Sequence, residues 1–313
     1  MNTPGHLGPA AVSAIAGLSF SLIGIALRLG KDRGLPVFHL LAVSTASGAM
    51  VFGARALAAG VPLPAAVAWL AVAAGISQYA TMHAMRAALH LGPLTPLWAA
   101  QALGFIPVTV FAALAFGEAL TAWSGAALAS AVACVAFSAT LGDHRSAPAH
   151  LPRGARFAIV YGAVLLAVLL LNSLANMTLK YLSAQGTLED NLLTRHAPAF
   201  LALFYGTILC CFVLDQLVTR RPIVQPAATL GCGLLCAFGS ITGLWLMAGC
   251  AAYPAAIVFT VSTMASMIGA ALVATFWLGE ARSVRWHLAL GSALLAVVLS
   301  QGDTIVRIIR SAW

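Results

Sequence analysis

The chain has 313 residues, of which 61% are hydrophobic and 8% charged, with a formal net charge of +8 and a mean hydropathy of +0.97. That excludes ordinary soluble globular usage, which runs at about 45–50% apolar and about 25% charged residues. The positive balance needs no nucleic acid to explain it, because the basic residues stand scattered at the ends of apolar runs, where anionic headgroups attract them, and form no long basic tract.

Runs of about 20 apolar residues are needed to cross the roughly 30 Å hydrocarbon core. Ten are predicted, over 9–29, 36–57, 64–89, 93–115, 120–141, 157–181, 198–219, 227–250, 254–277 and 284–302. The expected fold class is therefore all-α integral membrane, with ten transmembrane helices. The longest connections, 142–156 and 182–197, are too short for a further domain. The first Lys or Arg is Arg28, so the first run lacks the cationic leader of a secretory signal and is expected to be a retained helix.

Taken in chain order, the first run carries Ser21 through Arg28 at its end. The third is the richest in polar groups: Tyr79, His83, Arg86 and His90 follow at i, i+4, i+7 and i+11 on one helical face, with Gln78 beside them. Polar residues at membrane depth usually face protein or a water-filled cavity. Arg86 suits a carboxylate or phosphate through a bidentate contact, and His83 is a group able to exchange protons near neutral pH. A satisfied structural histidine is the competing reading. The fourth run adds Trp98 and Gln101 and closes on Phe116-Gly117-Glu118.

The sixth run presents Asn172, Asn176 and Lys180 every four residues, a stripe suited to amide or hydroxyl recognition and equally to helix–helix adhesion. The seventh holds Tyr205 and Asp215, the latter close enough in sequence to pair with Arg220 or Arg221. The eighth offers Ser240, Thr242 and Trp245; the ninth offers Thr260, Ser262, Thr263 and Ser266 before Leu278-Gly279-Glu280. Trp98 and Trp245 can stack on a planar or cationic substrate. All six cysteines fall within apolar runs and read as small packing residues; Cys232 and Cys236 lack the further ligands a zinc site requires, so no metal and no cofactor is expected.

The chain is duplicated. Pro93 to Asp143 matches Pro254 to Asp303, each with Gly-Glu after its first helix and Gly-Asp at its close. Ser21–Arg28 likewise matches Ser173–Lys180. The first repeat spans 9–142, a connecting loop 143–156 and the second repeat 157–303. Five helices per repeat is an odd number, so the second repeat enters the membrane from the opposite side, and inverted repeats build alternating-access transporters around a midplane site.

These features, above all Gly117-Glu118 and Gly279-Glu280 at the same junction of two five-helix units, resemble the drug/metabolite transporter superfamily, in particular its EamA-type members. The resemblance covers about 11–142 and 157–303. It implies a substrate cavity lined by helices 1–4 and 6–9, peripheral helices 5 and 10, and export of amino acids or other small metabolites. It transfers no binding signature residue by residue.

The resemblance also implies cytoplasmic termini, whereas the Lys/Arg distribution points the other way. Five (Arg55, Lys180, Arg195, Arg307, Arg310) fall on the side of the termini and the remaining eleven of the 16 on the other, which places the 142–156 loop in the cytoplasm. Inversion pairs the charges across repeats: Arg28 with Glu280 at one face and Lys180 with Glu118 at the other, each a candidate gate. The competing reading is that the cations snorkel to headgroups and each glutamate caps the next short turn or helix.

No His-Glu-x-x-His, paired intramembrane carboxylates, Ser-His-Asp set or phosphate-binding loop is present, so neither an enzyme nor a directly ATP-driven pump is expected. The expected protein is a secondary transporter in a bacterial inner membrane, an exporter of a small polar metabolite such as an amino acid or amino-acid-derived metallophore, a monomer or homodimer whose partners are lipid, substrate and possible protons. Efflux of amphipathic drug-like or nucleoside-like compounds, metabolite uptake, and a non-transporting assembly role are the alternatives.

Overall fold

The structure, a computed structural model, describes residues 8–91, 97, 100–139, 155–188, 190–220, 225–276, 284–302 and 306. Among them the chain is all-helical, with no strand beyond an isolated bridge between Gly186 and Asn191. The helices are α1 (Pro9–Asp32), α2 (Val37–Ala59), α3 (Ala65–Leu91), α4 (Phe105–Phe116), α5 (Ala122–Ala139), α6 (Ala155–Ser183), α7 (Leu192–Thr219), α8 (Pro226–Cys250), α9 (Ala255–Phe276) and α10 (Val284–Leu299). Seven of these, α1–α3 and α6–α9, are long and apolar enough to cross a bilayer, which makes this a multi-pass membrane protein. Large apolar side chains such as Leu57, Trp69, Leu114 and Val218 are exposed on the outside of the bundle, as a lipid-facing surface requires.

Among the described residues, three helices are shorter than the expected spans. The 12 residues of α4 rise only about 18 Å at 1.5 Å per residue, and the apolar helices at 122–137 and 286–299 are also below full span length. For α4 the cause is a contact with a distant part of the chain. The 93–115 run breaks at a turn over Leu103 and Gly104, where the Gln101 and Gly104 carbonyls are taken by Asn172 and Ser173 of α6. The opposite correction holds for α7, expected from residue 198. It starts at Leu192, because Asn191 caps it: Asn191 Oδ1 accepts from the Thr194 amide (3.0 Å) and the Thr194 hydroxyl receives the Asn191 amide (3.2 Å). Pro198 sits inside, in the second turn, where the amide it lacks would have bonded back to Thr194.

Packing crosses the duplication. The first helix lies against α8 and α9, while α6 lies against α3 and α4; α2 meets α7 and α8, α3 meets α7, and α5 meets α10. Exchanging each helix with the one five places along maps α1·α8 and α1·α9 onto α6·α3 and α6·α4, and α2·α8 onto α7·α3. Small residues permit the closest approaches, as expected where lipid gives no hydrophobic drive between helices. A Cβ on Gly17 would strike the Ser262 carbonyl of α9, and one on Gly239 would lie 3.0 Å from Leu22 Cβ of α1.

Candidate functional site

Polar and charged groups gather in three places. The first is the end of the bundle where α4 and α6 finish. Gly117 ends α4 in a left-handed conformation (φ 66°), its amide bonded to the Ala113 carbonyl (3.1 Å), and so turns the chain to set Glu118 beside α6. Lys180, one turn from the end of α6, is 1% exposed and forms an ion pair with Glu118. Its ammonium also donates to the carbonyls of Ala251 (3.2 Å) and Tyr253 (2.8 Å) in the turn after α8, and the Ala255 amide at the start of α9 donates to Glu118 Oε2 (2.7 Å). Lys180 therefore does not snorkel; it is buried and fully bonded. Glu118 caps a helix, but not the next one in the chain: the amide it accepts from opens α9.

The other candidate pair is Arg28 with Glu280. Arg28 is 44% exposed and contacts Asp32 of its own helix at 3.4 Å. Glu280 lies outside the described residues.

The second group is the α6 stripe. Asn172 donates to the Gln101 carbonyl (3.3 Å), Ser173 to the Gly104 carbonyl (2.9 Å) and Asn176 to the Asn172 carbonyl (3.2 Å); Ser77 of α3 donates to Leu171 (2.7 Å). Much of the stripe is thus helix–helix adhesion. Gln101 Oε1 is the exception, buried with no hydrogen-bond partner among the described residues. Thr263 on α9 is half-buried, and Trp98 lies outside the described residues.

The third group lies on α3. Tyr79 and His83 turn toward α2 and α7: the ring centroids are 4.5 Å apart, Tyr79 lies 5.2 Å from Phe212, and His83 lies 6.3 Å from Phe38, which itself meets Phe212 at 4.6 Å. His83 Nε2 is buried in this aromatic cluster with no hydrogen-bond partner among the described residues. Gln78 and Arg86 are half-buried on the same helix, and the guanidinium of Arg86 makes no ion pair among the described residues. The His90 side chain lies outside the described residues. Asp215, expected to pair with Arg220 or Arg221, has Oδ2 buried without a hydrogen-bond partner among the described residues; Arg220 ends α7 in a left-handed turn, and Arg221 lies outside the described residues.

Trp245 stacks on Phe52 (5.8 Å), Phe52 stacks on Tyr205 (5.7 Å), and the Tyr205 hydroxyl is 2.6 Å from the Ser240 hydroxyl. Arg55 lies over the Trp245 ring, 4.1 Å from its centroid. Sequence reasoning counted Arg55 only as charge, and it overlooked His39, 7% exposed with both ring nitrogens unpartnered. It also missed the backbone of the α8–α9 turn, which no side-chain pattern signals. Among the described residues no cluster of three His, Cys, Asp or Glu could hold a metal.

No family model matches the chain, and no curated protein matches it. Among solved structures, a crystal structure of a protein superposes with a TM-score of 0.69 at 18% identity, covering 93% of this chain and 96% of the other. The likeness is one of fold over nearly the whole length of both chains.

Proposed function

We propose that this chain is a secondary transporter of the drug/metabolite transporter type, in which two inverted five-helix repeats export a small polar metabolite across a bacterial inner membrane by alternating access. The observation that carries the reading is the packing of α1 on α8 and α9 and of α6 on α3 and α4, which maps onto itself when the halves of the chain are exchanged. A duplicated bundle of this kind has two near-equivalent ways to close, one at each face.

Amino acids and amino-acid-derived compounds such as metallophores are the substrate class this reading favours. Arg86 offers a half-buried guanidinium without an ion-pair partner among the described residues, a group suited to a carboxylate, and Gln101 offers a buried oxygen without a hydrogen-bond partner among them, a group suited to an amine or amide. The drug-like alternative rests on free aromatic faces, and Trp245 already spends its ring on Phe52 and Arg55.

The test is mass spectrometry of medium and cell extract from a deletion strain complemented with the intact chain or with Arg86→Gln. One metabolite accumulating in the deletion strain, and returning to the medium only with the intact chain, supports the reading. Full export by Arg86→Gln together with loss in Trp98→Phe moves the substrate to the planar, amphipathic class.

A further inference from the structure

We infer that Lys180 and Glu118 act together as a clasp on the backbone of the α8–α9 turn, closing one end of the bundle, and that the bodies it joins are not the two sequence repeats. The inference rests on the transporter reading for its purpose, but its geometry stands alone. By packing, α6 gathers α3 and α4 into one body and α1 gathers α8 and α9 into another, with α4 also lying against α9 where the two meet. Both charged residues belong to the first body, so their mutual ion pair does not itself span the two. What spans them are three hydrogen bonds to the second body: Lys180 to the Ala251 and Tyr253 carbonyls, and the Ala255 amide to Glu118.

Each partner suits its place. An ammonium has three protons to donate, and the three acceptors here use them all. Its cation meets the carbonyl end of α8 and the Glu118 carboxylate meets the amide end of α9, the favourable sense of both helix dipoles. A buried ion pair alone carries a heavy desolvation cost, and here the turn supplies the remaining hydrogen bonds. Pulling the turn away leaves two ammonium protons and one carboxylate oxygen without partners at once. The contact is therefore made whole or replaced by water, the two-state behaviour a gate requires. Beneath it, Ala248 packs with Leu179 and Leu182 in one buried cluster, so opening the clasp exposes that seam.

The experiment is thiol labelling of Ala248→Cys, 3% exposed here, in the full-length chain with its six native cysteines replaced, using a water-soluble maleimide on membrane vesicles. Glu118→Gln and Lys180→Gln are expected to raise the labelling rate about tenfold or more, the population shift that losing one charge-assisted hydrogen bond produces. The charge-exchanged double variant, Lys180→Glu with Glu118→Lys, is expected to stay fast, because a carboxylate at 180 would face two carbonyl oxygens. Lys180→Arg, which keeps donors, is expected to label more slowly than Lys180→Gln and guards against a folding defect.

Rescue by the charge exchange would reduce the contact to an ordinary ion pair and overturn the clasp. Unchanged labelling in folded Glu118→Gln and Lys180→Gln would overturn it as well, leaving a static helix cap. Neither result needs a substrate: if labelling responds while no metabolite moves, the clasp stands and the export reading fails.

Discussion

Replacing Gly17 by alanine adds a single carbon at the tightest crossing of α1. In its ideal position that carbon would strike the Ser262 carbonyl oxygen, with the carbonyl carbon 2.8 Å and Ala265 Cβ 2.9 Å away. Ordinary contact begins near 3.4 Å, so α9 must retreat by at least 0.5 Å (3.4 − 2.9) even from the methyl group. The obstacle is helix backbone, which cannot swing aside as a side chain would. The movement also disturbs the next crossing, where Gly269 sits against Ser21. Overpacking costs about 1–3 kcal/mol and occasionally more; backbone obstruction places this case near about 3 kcal/mol.

On the scaling of about 2–4 °C per kcal/mol, the midpoint falls by roughly 5 °C or more. Gly24→Ala is the internal control. It lies in the same helix with nothing within 4 Å of an added Cβ, and it is expected to gain about 0.5–1 kcal/mol from helix propensity. Thermal unfolding of the purified protein in detergent, followed by tryptophan fluorescence, should rank Gly24→Ala at or above the parent and Gly17→Ala well below. A Gly17→Ala protein melting with the parent would refute the close α1–α9 crossing and the two-body division built on it.

Other consequences are as direct. Asn191→Ala removes the α7 cap and the Nδ2 contacts to the Thr187 and Leu188 carbonyls; a loss of about 1–2 kcal/mol is expected, read as faster proteolysis between 184 and 191. Arg195→Gln removes an exposed ion pair with Asp190 and should leave the melting point unchanged. Arg195 holds the Asp190 carboxyl below its usual range, through a hydrogen bond and then charge. The contact is thus intact above the ordinary aspartate pKa and is lost as pH falls through the depressed one. Amide exchange of the 186–191 loop should accelerate as the parent is taken into acid, and Arg195→Gln should lack that step. Tyr205→Phe should cost about 1 kcal/mol by stranding the Ser240 hydroxyl.

Membrane class and helix order were legible because hydropathy in a bilayer is a strong constraint: a 20-residue apolar run has few other uses. The pairing of Lys180 with Glu118 could also be read, since helix parity alone puts both at one face. Their grip on Ala251, Tyr253 and Ala255 could not, because those contacts are made by backbone atoms that every residue possesses. The expected polar face on α3 divides in the structure. Tyr79 and His83 join Phe38 and Phe212, since rings on neighbouring helices gain more from each other than from a wet path. The break in the 93–115 run escaped notice for a related reason: it depends on Asn172 and Ser173, some 70 residues further along the chain.

The exchange of partners between the two halves also bears on how the protein is made. When α1 leaves the ribosome, neither α8 nor α9 has been synthesised, and its crossing surface of Ser13, Gly17 and Ser21 has nothing to meet. That surface must wait, against lipid or an insertion factor, until residue 276 has emerged, whereas α6 finds α3 and α4 already in place. Biogenesis is therefore asymmetric even though the packing pattern is not. A chain truncated after the first five helices would hold α1 without its dock, so the first repeat has no independent route to the arrangement it adopts in the whole protein.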